Sequence, residues 1–263
     1  MRYLKFFLLA CTALPVIAAQ SPSATLARTG TLRAVFLGGN PVQGRVDPKS
    51  GEAIGVVPDL VKELARKLAV PYVIISKPDA AGVIDALKNQ TADIGFLAYD
   101  ESRAREVDFG GPFLVMFNSY VVPANSSIQK TADVDRAGIK VAAVKGQTQE
   151  IFVSSHLKNA QVRVFETMPP QTELESLLTT GGIDAFAINR QRSLDAQAAS
   201  GSKLRALPDS FLEVLQSFVV EKGARAKLEV IEKFVDEVRA SNFIKQSIER
   251  AKLEGVGVPS KSN

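Results

Sequence analysis

Asp93-Ile94-Gly95-Phe96-Leu97 is a short run with an acidic residue first and apolar or small residues after it, closed by Ala98. Such a run reads as a strand buried on both faces, as in a parallel sheet. Just upstream, Val83, Ile84 and Leu87 mark one face of a helix that ends six residues before Asp93. Tyr72 to Ile75 is β-branched and apolar, a second strand. Before it, Leu60, Val61, Leu64 and Leu68 fall on one helical face, opened by Pro58 where a missing N–H does no harm. Leu32-Arg33-Ala34-Val35-Phe36 is the first strand. The order is βαβαβ, the pattern of a parallel sheet covered by helices.

The pattern then restarts. Ile139 to Val144 is a strand, Thr148 to Leu157 a helix, Val162 to Phe165 a strand, Leu174, Leu177 and Leu178 lie on a helix, and Ile183 to Ile188 is a strand. Leu178 stands six residues before Asp184, as Leu87 does before Asp93, so Asn189 corresponds to Ala98. Both close a strand at its carboxyl end, where open α/β sheets bind ligands. The matched Asp93 and Asp184 read as local structure at a strand start. Ser119-Tyr120-Val121-Val122 and Ser217-Phe218-Val219-Val220 are expected to cross between the two units. Helices at Leu228 to Val238 and Ile244 to Ile248 then pack back on the first. The expectation is an α/β protein of two lobes joined by a two-strand hinge. One lobe takes 28–120 plus 216–263, the other 121–215.

The first residues set the compartment. Arg2 and Lys5 precede an apolar stretch from Phe6 to Ala19, and small residues follow. That is the order of a cleaved secretory signal, with cleavage expected between 18 and 27, after Val16-Ile17-Ala18 or after Ala24-Thr25-Leu26-Ala27. The stretch falls short of a membrane span. A lipoprotein box at Leu8-Leu9-Ala10-Cys11 is the weaker reading, since it leaves too little apolar sequence before it. Cys11 is the only cysteine, so the processed chain has no disulfide and must be held by its core. Its length of about 240 residues allows that. Of 32 Lys and Arg, removing Arg2 and Lys5 leaves 30 against 28 Asp and Glu, interspersed. No basic run offers a nucleic-acid surface.

Gly30-Thr31-Leu32-Arg33, Gly55-Val56-Val57-Pro58-Asp59-Leu60, Ala92-Asp93-Ile94-Gly95, Gly146-Gln147-Thr148-Gln149-Glu150 and Gly182-Ile183-Asp184-Ala185-Phe186 recur in order along the chain. With Arg103 followed by Val107-Asp108-Phe109-Gly110-Gly111-Pro112-Phe113, the sequence resembles bacterial solute-binding proteins of family 3, whose signature is "T-x-x-R … v-x-F-S-x-P-Y". The resemblance implies a type II periplasmic binding protein with Rossmann-like lobes, exported to the periplasm. A monomer of this kind serves an inner-membrane ABC permease and needs no cofactor. It also implies site residues. Arg103 matches the arginine that clamps a ligand carboxylate, a role suited to a planar guanidinium. Thr148 matches the hydroxyl and helix N-terminus that meet the same group; Lys145 and Gln147 border that turn. Leu97 and Ala98 stand where the family contacts the ligand's amine with a serine.

The departures narrow the ligand. Ala98 lacks that serine hydroxyl, Asp100 replaces the signature threonine, and Asn40 replaces the aromatic that stacks on the ligand. Asn189 replaces the aspartate that pairs with the α-ammonium. The expected ligand is a small carboxylate-bearing solute other than a standard zwitterionic amino acid. Asp100 or Tyr99 facing a cation is the other possibility. A periplasmic dehydratase of the cyclohexadienyl dehydratase type is the catalytic alternative, with Asp100 and Glu101 as its acids; no nucleophile–base pair is present, so no enzyme activity is expected. A ligand-presenting sensory binding protein is the third. His156 stands alone, so no metal site is expected. Gly38-Gly39 reads as a turn, since no Gly-Lys-Ser/Thr follows.

Overall fold

The computed structural model describes residues 21–259; the apolar stretch expected to be a secretory signal and Cys11 lie outside them. Helix α1 (Pro22–Leu26) is followed by β1 (Leu32–Leu37), a hairpin of β2 (Arg45–Val46) and β3 (Ala53–Ile54), α2 (Val56–Leu68), β4 (Tyr72–Lys77), α3 (Ala80–Lys88) and β5 (Ile94–Ala98). A single turn, α4 (Glu101–Ala104), leads into the long β6 (Val107–Pro123). The second unit contains β7 (Lys140–Val144), α5 (Thr148–His156), β8 (Gln161–Phe165), α6 (Gln171–Thr179), β9 (Ala185–Asn189), α7 (Arg190–Ala199) and β10 (Leu204–Ala206). Then β11 (Leu212–Glu221) returns, and α8 (Arg225–Ala240), α9 (Phe243–Arg250) and β12 (Val256–Gly257) end the chain.

Hydrogen bonding joins the strands in the order β4-β1-β5-β11-β6-β9-β7-β8. At one end β1 pairs in parallel with β4 and β5, and at the other β7 pairs in parallel with β8 and β9. Each lobe thus has its first strand in the middle, the topology of two copies of one βαβαβ unit. The antiparallel pair β6 and β11 stitches them: β11 pairs with β5 through Gln216–Val219, while β6 pairs with β9 through Asn118–Val121. This is the expected two-lobed α/β fold. A feature hidden from the sequence is that β6 runs unbroken through Gly110-Gly111-Pro112. Pro112 has no N–H for the ladder, and the β6–β11 register shifts beside its partner Ser217. A bulge absorbs the missing donor.

The matched aspartates do the same job in each lobe. Asp93 Oδ2 accepts the Arg33 amide at 2.9 Å, and the Asp93 amide donates to the Arg33 carbonyl at 2.8 Å. Asp184 Oδ2 accepts the Lys140 amide at 2.8 Å, and its own amide donates to the Lys140 carbonyl at 2.8 Å. Each aspartate locks the third strand of its unit to the start of the first, which fixes register where a slip would turn core residues outward. Asp93 is buried, and Arg33 closes on it at 2.7 Å. Above the sheet of the first lobe, Phe96, Phe113, Phe218 and Phe234 form a ring cluster. Phe96–Phe218 centroids are 4.5 Å apart, and Phe218–Phe234 meet edge to face at 6.0 Å. Leu26 and Ala27 belong to the same core.

This scaffold points four strand ends at one gap: those of β1, β5, β7 and β9. The loop after β1 is fixed from within. Buried Gln43 accepts the Leu37 amide at 3.0 Å and donates to Gln216 Oε1, also at 3.0 Å. Both amides are hidden and satisfied, so the turn carrying Asn40 is held to β11.

Candidate functional site

A cavity of about 250 Å³ lies in the gap, below the ~300–1,000 Å³ common for drug-sized ligands. Asn40 and Asp79 reach it from the first lobe; Lys145, Gln147, Asn189 and Arg192 reach it from the second. Apolar surface comes from Leu37, Met168 and Ile188. Of the residues singled out in the sequence, Asn40, Lys145, Gln147 and Asn189 therefore line this cavity together. Leu97, Ala98, Arg103 and Thr148 do not line it. Leu97 is buried against α3 and Ala98 against the ring cluster.

Arg103 approaches the cavity through Gly146, whose neighbours Lys145 and Gln147 line it. Asp100 caps α4 by accepting the amides of Ser102 and Arg103 at 2.9 and 3.3 Å, which turns the Arg103 side chain across the gap. Its Nη1 donates to the Ala98 carbonyl at 3.0 Å, at the end of β5. Its Nη2 donates to the Gly146 carbonyl at 2.9 Å, in the turn between β7 and α5. Gly146 takes φ +71°, a conformation glycine adopts without strain, and its neighbours Lys145 and Gln147 face the cavity. Arg103 is 7% exposed and makes no ion pair among the described residues. Burial pulls its guanidinium below the usual arginine range, and the nearby Asp100 charge only partly opposes this. A guanidinium has five N–H donors; two are engaged here, so donors remain for a ligand.

The carboxylates nearby are committed. Burial pushes the Asp100 carboxyl up, but hydrogen bonds from Ser102 and from the two amides, with the Arg103 charge, carry the net shift down. Asp79 Oδ1 caps α3 by accepting the Gly82 amide at 2.7 Å. Glu166 holds Lys145 at 3.0 Å in an exposed ion pair. Tyr99 is half exposed and meets the edge of Phe109.

At the second lobe, Thr148 is the first residue of α5, whose N-cap Gln147 gives no side-chain cap. The amides of Thr148 and Gln149 meet no acceptor among the described residues, so this helix end presents donors and positive dipole. Asn189 Oδ1 caps α7 by accepting the Arg192 amide at 2.9 Å. An aspartate could cap equally well, so the asparagine changes the charge of the cavity and leaves the helix start intact. Beneath the cavity, Gln149 donates to Asn118 Oδ1, and Asn118 Nδ2 donates to the Leu212 carbonyl at 3.1 Å. These amides tie α5 to both crossing strands.

Arg192 was missed by the sequence reading. Its only early signal was position, within one helical turn of the end of β9. Its Nη2 donates to the Gly39 carbonyl in the first lobe. The C-terminal segment supports this helix: Gln191 Oε1 accepts the Glu254 amide at 2.8 Å. A Cβ on Gly255 would lie 2.4 Å from the Gln191 nitrogen, so only glycine allows this approach. His156, away from the gap, stacks on Phe152 with ring centroids 4.1 Å apart.

A family model described as "Bacterial extracellular solute-binding proteins, family 3" matches residues 34–251. A search of curated proteins gave no match. Among solved structures, the chain is similar to an amino acid ABC transporter substrate-binding protein from Streptococcus pneumoniae Canada MDR_19A bound to L-arginine. The TM-score is 0.72 at 21% identity, covering 90% of this chain and 100% of that one. An ancestral arginine-binding protein bound to glutamine gives 0.69 at 26% identity over 84% and 97% of the two chains. An ancestral amino acid-binding protein described as a precursor of cyclohexadienyl dehydratase gives 0.71 at 22% over 88% and 99%. These are binding proteins by name, one of them a forerunner of an enzyme.

Proposed function

The chain belongs to the bacterial extracellular solute-binding proteins, family 3, and from that membership we propose that it is the periplasmic substrate-binding component of an ABC-type importer, taking a small carboxylate-bearing solute between its lobes. The observation that carries this reading is Arg103: a buried guanidinium at the inter-lobe gap, held by two backbone carbonyls and in no ion pair among the described residues. A ligand carboxylate is a stronger acceptor than the neutral Gly146 carbonyl, by roughly twofold in hydrogen-bond energy. It displaces the weaker partner and supplies the missing charge. The uncapped start of α5 adds donors from the other lobe. Closure thus completes the site, and the solute shifts the open–closed equilibrium by its preference for the closed form. The hinge in this reading lies where β6 and β11 pass between lobes, with the lobes divided as 28–120 plus 216–263 and 121–215. An inner-membrane permease then receives the solute from the closed monomer.

Asn189 in place of an acid removes the second lobe's partner for an α-ammonium, Glu166 is paired with Lys145, and Asp79 spends Oδ1 on the cap of α3. The proposed solute is therefore an acid lacking a free α-amine. A dehydratase role fits less well, because Asp100, which accepts the Arg103 amide, is held below the usual carboxylate range and is a poor proton donor at neutral pH, while Glu101 is exposed. Native mass spectrometry of protein purified without refolding tests the function by weighing the co-purified solute. An amine-free acid is expected; a common L-amino acid bound tightly contradicts the reading.

Export is part of the same proposal, with cleavage early in the 18–27 window. Leu26 and Ala27 are buried in the first lobe's core, and Ser21 caps α1 by accepting the Ala24 amide. Cleavage after Ala27 would delete a core leucine, a loss of about 2–5 kcal/mol. The intact mass of exported protein is expected to place the mature N-terminus upstream of Ser21, after Ala18. A chain beginning at Arg28 would contradict this.

A further inference from the structure

Arg192 is the one cavity-lining cation that the proposed carboxylate site leaves unused. The cavity's other lining cation, Lys145, is neutralised by Glu166. Arg192 makes no ion pair among the described residues. Its acidic neighbour Asp195 is exposed and opposes only partly the burial that lowers its pKa. The two arginines are reciprocal. Arg103 leaves the first lobe for a carbonyl of the second, at Gly146. Arg192 leaves the second lobe for a carbonyl of the first, at Gly39. Gly39 and the neighbours of Gly146 lie along the cavity from opposite strand ends, those of β1 and β7. Arg103, buried, and Arg192, half-buried, thus approach one small chamber, each hydrogen-bonded through its guanidinium only to neutral carbonyls among the described residues. Burying charge without a counter-charge is unfavourable.

We infer that the solute is a compact dicarboxylate, with one carboxylate held by Arg103 and the second by Arg192. This rests on the carboxylate-binding reading above and names its substrate class. The planar guanidinium fork suits a carboxylate at both ends. Asp79 gives no competing anchor for Arg192, since no ion pair joins them and its Oδ1 is occupied by the Gly82 amide. The small volume excludes long linkers between the two acids.

Isothermal titration calorimetry of the processed protein, freed of co-purified solute, tests this with succinate and glutarate. Each is set against the monocarboxylate of equal chain length, butyrate or pentanoate, and against L-glutamate and L-arginine. Each dicarboxylate is expected to bind about 10- to 100-fold tighter than its monocarboxylate, the worth of one added charge-assisted contact. Arg192→Gln is expected to erase that difference, bringing the ratio of dicarboxylate to monocarboxylate affinity close to one. Arg103→Gln weakens both series. Equal affinity for mono- and dicarboxylates in the unmodified protein, or tighter binding of L-arginine, overturns the dicarboxylate inference. Because that comparison uses unmodified protein, it stands even if a variant folds poorly. Monocarboxylate binding that depends on Arg103 but not on a second acid leaves the broader reading intact and sinks this one. Failure of every carboxylate to bind overturns both.

Discussion

Arg103→Ala is expected to remove solute binding while leaving the protein folded. Truncating one partner of a buried charged pair costs about 2–5 kcal/mol, a rise in Kd of roughly 30-fold to several-thousand-fold. The side chain contributes little to folding, because its guanidinium is desolvated and bonded only to the Ala98 and Gly146 carbonyls. Thermal melting of the variant is therefore expected to match the parent within a few degrees, while calorimetry with the native solute shows no saturable heat. Arg103→Lys is expected to recover little, since one ammonium point cannot reproduce a fork that spans two lobes. Retained affinity in Arg103→Ala would remove the basis for an anion clamp.

The largest stability effect is expected at Phe218. Its ring is fully buried and touches Phe96, Phe113 and Phe234, with centroids 4.5, 5.6 and 6.0 Å away. It sits on β11, where that strand pairs with β5 in the first lobe, so its loss loosens the core at the foot of the hinge. Phe218→Ala is expected to cost about 3–5 kcal/mol. For a chain of this size, that lowers Tm by about 6–20 °C. Differential scanning calorimetry measures it directly. A shift of only a degree or two would mean that the ring cluster does not form.

What could be read in advance was what local chemistry specifies. The apolar spacing of Leu60, Val61 and Leu64 put α2 in place, although the helix starts at Val56, so that Pro58 occupies its first turn. The recurrence of Asp93 and Asp184 was visible as an echo, and its meaning became clear only in the paired amides of Arg33 and Lys140. Two features escaped. The continuity of β6 was hidden by Gly110-Gly111-Pro112, a sequence that ordinarily breaks a strand. It persists here because β6 itself bulges on either side of Pro112, opposite Ser217 of β11. Helix α7 has no apolar stripe to find: its buried residues are Gln191, which bonds the Glu254 amide, Ser193, which bonds back to its own helix, and Ala196, which packs in the second lobe's core. With that helix unseen, Arg192 had no address, and only tertiary packing brings it to Gly39. Asn40, Lys145, Gln147 and Asn189 lie at or just after strand ends and line the cavity, because the carboxyl edge of a parallel sheet is set by topology. Whether each touches a solute is a question of side-chain reach that sequence spacing does not encode.

In the proposed function, Arg103 grips an anionic solute as the lobes close. The most direct measurement is a crystal structure of the protein with the solute it carries from the cell. The account predicts a solute carboxylate about 2.7–2.9 Å from the Arg103 guanidinium nitrogens, in place of the Gly146 carbonyl. A solute bound between the lobes with Arg103 still on that carbonyl, and no anionic group within reach of it, would contradict the account.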